Sequence, residues 1–250
     1  MTDGIVVFLG PTLAQEHARA CLDAVYRPPA EQGDIVRVVT GLKASTILLI
    51  DGVFAKAPAV RHKEILWALD RGVSIYGAAS MGALRAAELH AFGMRGHGLI
   101  YRWYRATPLA DDDEVAVAMM PAELGSQALS EALVDMRLTL RRAERCGIIP
   151  AATRRSLEGV ARDLHFIDRT YPALFERARL FLPDARAFVD PLADWVQQHA
   201  VRQKRQDAIG LLRHLSAHGS SKPRAAAPFR MTEAWAADLD ASGLYSENIL

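Results

Sequence analysis

Cysteine is nearly absent from this chain: Cys21 and Cys146 are the only two in 250 residues. One widely separated pair makes no disulfide framework. Neither thiol sits in a cluster spaced to ligate zinc, and both are expected to fill core positions. Long apolar runs are missing too, since nothing approaches the ~20 residues needed to cross a bilayer. The opening MTDGIVVFLGPT has no basic segment and does not read as a signal peptide. Net charge is almost nil: 30 basic against 29 acidic residues leave +1, which gives no electrostatic case for nucleic acid or a membrane surface. There is no P-loop, and Gly93, Gly96 and Gly98 follow a helical stretch rather than a strand, so they form no dinucleotide fingerprint. The acidic run Asp111–Glu114 lacks the spacing of a calcium loop and reads as a solvated turn. These absences lead to the expectation of a cytoplasmic protein with no nucleic-acid or membrane partner and no required metal or organic cofactor.

What is present is the composition of a globular protein, 50% hydrophobic and 24% charged. Residues 5–9, 46–50 and 73–76 are apolar on both faces, as strands inside a parallel sheet tend to be. Each runs into a loop signal: Gly10-Pro11-Thr12, Asp51-Gly52 and Gly77-Ala78-Ala79-Ser80. Between the last two strands, residues 58–69 place Val60, Ile65, Leu66 and Leu69 on one helical face, with Gly72 as a stop. A second helix is expected over 81–92. The alternation predicts an α/β fold, an open and mostly parallel sheet with flanking helices. Edge strands are expected at 99–101 and 114–119. From about Ser126 the spacing turns helical, which divides the chain into an α/β core over 1–125, a helical region over 126–216, and a linker and tail over 217–250 that contains a short helix. No internal repeat is found.

In an open parallel sheet, ligands bind beyond the carboxyl ends of the strands, where these three loops should converge. Ser80 stands out there, flanked by small residues between strand and helix. A nucleophile elbow needs that, because the tight turn leaves no room for side chains, and the amide after the serine, that of Met81, then faces the oxyanion. Gly82 completes the pattern, but Ala78 stands where the first glycine of G-x-S-x-G would be. Two further readings of Ser80 are open: a cap for the helix and an anion binder at its N-terminus. A base is offered by Lys63 or His62, within Arg61-His62-Lys63-Glu64, a run that also reads as a solvated charged face. Asp51 is placed to orient a base, to hold a metal or to close a turn. Arg85 and Glu88, three apart on one helix, are set to pair with each other, or Arg85 to hold a substrate carboxylate or a partner's acidic surface.

The segments FLGPTL (8–13), YRPPAEQGDI (26–35), IDGVF (50–54), AVRHKEILWAL (59–69), GAASMGALRAAELHAFGM (77–94) and DDDEVAV (111–117) strongly resemble the TfuA-like family, in order and spacing, over roughly 5–147. The resemblance implies a partner of a YcaO enzyme, which uses ATP to activate backbone amides of ribosomal peptides, the pair installing thioamides. It implies that the TfuA-like partner hydrolyses the thiocarboxylated C-terminus of a ThiS-type sulfur carrier, releasing sulfide. Residue roles come from the residues instead. Ser80 is expected to attack the thioacid carbonyl or to bind its carboxyl group, with Lys63 or His62 as base. The oxyanion donors expected are Met81 N–H and an amide of Gly10, Pro11 or Thr12. The competing expectation is a non-catalytic scaffold that binds the YcaO or the carrier.

Overall fold

The computed structural model describes residues 4–54, 57–107, 111–221 and 229–244. The chain divides into two compact units, Met1–Leu109 together with Arg205–Leu250, and Ala110–Lys204. The helical region expected over 126–216 is therefore shared between them.

The first unit is built on a five-stranded sheet, every neighbouring pair parallel, in the order β2-β1-β3-β4-β5. Its described elements run β1 (Ile5–Phe8), α1 (Gln15–Arg19), β2 (Val25–Arg27), α2 (Asp34–Gly41), β3 (Thr46–Leu49), α3 (His62–Asp70), β4 (Ser74–Ala78), α4 (Met81–Glu88), β5 (Arg95–His97) and α5 (Gly98–Ala106). β3 and β4 are buried along their whole length, which is why they read as continuous apolar runs. Val6, Phe8, Ile47, Leu49 and Ile75 turn to one core with α2, α3 and α4. Val7, Leu48, Ile50, Tyr76 and Ala78 turn to the other. This split is the period-two alternation of a strand covered on both faces.

The expected edge strands are corrected. Residues 99–101 lie in α5, because the edge strand comes earlier, at 95–97, and Gly98 turns directly into the helix. Residues 114–119 form no strand either: Asp112–Glu114 is a 3-10 turn, and only an isolated bridge joins Met119 to Ala128.

The second unit is helical: α6 (Leu133–Arg145), α7 (Ala151–Asp163), α8 (Tyr171–Phe181) and α9 (Arg186–His199). Each packs on the next, and α9 returns to α6, around Met136, Leu140, Leu157, Leu174 and Leu192. Buried charge ties this core together. Arg169, fully buried, donates to the carbonyls of Ala161, Leu164 and Asp113 and to the Asp113 carboxylate at 2.8 Å. Arg137 grips Glu114 at 2.8 and 3.1 Å. Half of the acidic run is thus structural rather than solvated.

The chain then re-enters the first unit through α10 (Gln203–His218), whose Ala208, Leu211, Leu212 and Leu215 join the second sheet face. The short tail helix, α11 (Glu233–Ala241), buries Trp235 and Leu239 in the first. Cys21 is half-buried, but Cys146 caps α6 and is exposed. A helix C-cap leaves its side chain outside the packed stripe, so the expected core position fails there.

Candidate functional site

The order of strands puts β1, β3 and β4 side by side, so the loops leaving their carboxyl ends meet at one edge. In this order the crevice between β1 and β3 is the topological switch point, where ligands of doubly wound sheets bind. Asp51 closes that crevice. Its Oδ2 accepts from the Gly10 and Thr12 amides at 2.9 and 3.1 Å, and its Oδ1 accepts from the Thr12 hydroxyl at 2.6 Å. A carboxylate 1% exposed needs such a donor set to remain in the interior. The clamp corrects the expectation for this loop. The Gly10 and Thr12 amides are spent on Asp51 and Pro11 has no N–H, so none of the three supplies an oxyanion donor.

The neighbouring turn is strained in the way an elbow is. Ser80 N–H donates to Ala78 O at 2.8 Å around Ala79, which holds φ at +67°: a γ-turn of the uncommon hand. The chain can turn so tightly because α4 presses its backbone against the sheet. A Cβ at Gly82 would stand 1.7 Å from Leu49 O, and one at Gly77 would stand 2.0 Å from Gly82 O. Ser80 is buried at the N-cap of α4, yet its hydroxyl makes no capping bond to the helix amides. Of those amides, Gly82 N–H donates to Ile50 O, and Ala83 and Leu84 N–H to Ser80 O. Among the described residues the Met81 amide has no hydrogen-bond partner. An unspent amide at a helix N-terminus, next to a buried serine, can stabilise negative charge on a bound carbonyl oxygen.

The remaining predicted residues gather elsewhere. His62 Nε2 lies 2.8 Å from Glu88 Oε2, which also takes Arg85 Nη1 at 2.7 Å, while Arg85 Nε donates to Val60 O. Burial works to raise the Glu88 carboxyl, but bonds and charge from His62 and Arg85 outweigh it and hold the group below the usual range. Glu88, the acid that the first residue of α3 and mid-helix Arg85 share, ends α4, on the order of 12 Å along the helix from Ser80. Lys63 Nζ rests over the Phe229 ring at 5.3 Å. No hydrogen bond joins either proposed base to Ser80 among the described residues. Arg85 and Glu88 do pair, as their spacing suggested, so neither presents an uncommitted charge to a substrate.

Sequence reasoning missed Glu64, which it had left in a charged surface run. It is fully buried, accepting the Arg61 N–H at 3.0 Å, with Oε2 lacking a hydrogen-bond partner among the described residues. Burial pushes its carboxyl up to about 7, against the backbone N–H groups of Gly33, Arg61 and Ile35. Its place in the first turn of a helix, three residues after the N-cap, is the signature that could have found it. Among the described residues no group of three or more His, Cys, Asp or Glu is placed to hold a metal ion. No described helix is long and apolar enough to cross a membrane.

No curated protein matches the chain. Residues 51–170 match the family model for TfuA-like protein, a stretch that begins at the Asp51 clamp and includes Ser80, Met81 and α4. The match supports assignment of the chain to the TfuA-like family and a role in YcaO-associated thioamidation.

Proposed function

We propose that this protein serves a YcaO enzyme by hydrolysing the thiocarboxylated C-terminus of a ThiS-type sulfur carrier, with Ser80 and the Met81 amide at the reaction centre. The reaction takes a thiocarboxylate and water to a carboxylate and hydrogen sulfide, so the C–S bond breaks and a C–O bond forms. Charge builds on the carbonyl oxygen in either route, and an amide already in place stabilises it without reorganisation. In the covalent route Ser80 attacks, sulfide leaves, and water frees the acyl-serine. In the direct route Ser80 holds the carboxyl group while water attacks. The carrier's extended tail reaches Ser80 across the small residues Ala78 and Ala79, and the peptide substrate is met through the YcaO.

The observation that carries this reading is the Met81 amide, partnerless among the described residues beside a buried serine that does not cap its helix. Asp51 is assigned to holding the floor of the site, through Gly10 and Thr12. The second reading is a recruitment module that binds the YcaO or the carrier without turnover. It draws on the engagement of His62 with Glu88 and of Lys63 with Phe229, which leaves Ser80 without the expected base. The two separate by sulfide release from purified thiocarboxylated carrier, with intact mass of both proteins, for wild type and Ser80→Ala. Sulfide from wild type alone supports the hydrolase, and an acyl adduct on wild type selects the covalent route. Binding without sulfide supports the module.

A further inference from the structure

A cavity of about 320 Å³ runs along β5, the edge strand of the sheet, lined by Tyr76, Arg95, His97, Tyr101 and His214 together with His90. That size suits a small ligand. Its Tyr76–Arg95 end pairs four residues before Ser80 along β4, roughly 13 Å of extended chain, and its His97 end pairs with Ala78, two residues before Ser80.

The walls of this cavity are built rather than incidental. A Cβ at Gly96 would fall 2.0 Å from the Tyr101 ring, and one at Gly210 would fall 2.9 Å from His97 Nε2, so two glycines seat two of its rings. Arg95 is held in place by the Tyr76 hydroxyl at 2.9 Å and by Ser221 O at 2.6 Å. The rings of His97 and His214 face each other with centroids 5.6 Å apart. Among the described residues, neither imidazole has a hydrogen-bond partner. Every ionisable side chain among the described lining residues is an arginine, histidine or tyrosine, with no carboxylate. Asp207, the acid facing His97 from α10, has both oxygens turned to the Leu99 and Ile100 amides, where it caps α5.

We propose that this cavity is a binding site for a small anion whose carboxylate or phosphate group sits between His97, His214 and Arg95, with the tyrosines as side walls. Two imidazoles and one guanidinium, with no carboxylate among the described lining residues, form the donor set such a group recognises. Binding favours the protonated His97 ring. Burial, then His214 and Arg102, depress the proton affinity of His97 below the usual imidazole value, and Asp207 offsets this only in part. Proton uptake therefore accompanies binding, and affinity rises as pH falls.

The test is calorimetric titration of the full-length protein with sodium acetate and with inorganic phosphate, at about pH 6 and about pH 8, for wild type, His214→Gln and His97→Gln. His214 is exposed, so its variant keeps the fold. The proposal expects one saturable site, tighter at the lower pH for acetate, and weakened about tenfold by His214→Gln. Tighter phosphate than acetate identifies a phosphate ligand, and the reverse identifies a carboxylate. No saturable binding of either anion overturns the proposal. So does binding that both histidine variants leave unchanged. The result does not depend on what Ser80 does.

Discussion

The two units of this protein hold themselves together by different means. The sheet unit relies on shape: apolar strands buried end to end, and a helix pressed so close that Gly77 and Gly82 have no space for a methyl group. The helical unit relies on charge within its core. Arg169 is buried among carbonyls with Asp113, Glu114 is gripped by Arg137, and Asp135 accepts from the Gln203 and Lys204 amides. Packing by shape tolerates no added atom. Packing by buried charge accepts small changes of volume and fails when one partner is removed. The strained Ser80 turn lies in the first kind of unit, where backbone is fixed by backbone.

That contrast makes graded predictions. Gly82→Ala should have the largest effect, more than about 4 kcal/mol, because the clash is with the Leu49 carbonyl and not with a flexible side chain. Urea denaturation, or plain loss of soluble protein, reads it out. Arg169→Met should cost about 3 kcal/mol by stranding three buried carbonyls. Hydrogen exchange should show lost protection concentrated in α6 to α9, and equal loss across the sheet strands would break the distinction between the units.

The next effect is a pH dependence. Burial pushes Glu64 from 4.5 to about 7 and Asp135 from 3.8 to about 6. Both folded values exceed the unfolded ones, so the folded state binds the extra proton. The stability this gives is complete below the unfolded values and is lost as pH rises through the folded ones. Melting temperature should accordingly rise as pH falls from about 7.5 towards 5, and Glu64→Gln should flatten the upper part of that rise. The smallest stability change is expected for Ser80→Ala, about 1 kcal/mol, the size of one side-chain hydrogen bond, with no capping bond lost. Sulfide release should nonetheless vanish. A large drop in melting temperature for Ser80→Ala would instead make this serine a structural residue.

Much of this was legible in the sequence, for identifiable reasons. β1, β3 and β4 are runs apolar on both faces, and the three loops after them do meet at one edge. β2 escaped notice because its outer positions are exposed and it is followed by two prolines, and β5 because Arg95-Gly96-His97 has no strand character of its own. Position along the chain located Ser80 and Met81, since a strand-to-helix turn is local. The roles of Asp51, His62 and Lys63 depended on which partner each side chain found. Those partners, Thr12, Glu88 and Phe229, are distant in sequence and carry no pattern.

The Asp51 clamp also bears on how the site comes into being. It joins residues 10 and 12 to residue 51 across strands whose pairing is not local, so the contact is made only after β3 has docked beside β1. Contacts of that kind form late, since the intervening chain must first be closed into a loop. A nascent or partly unfolded chain therefore has no assembled floor beside Ser80. Any chemistry at that edge waits on completion of the fold, so the sulfide release proposed above would be confined to finished molecules.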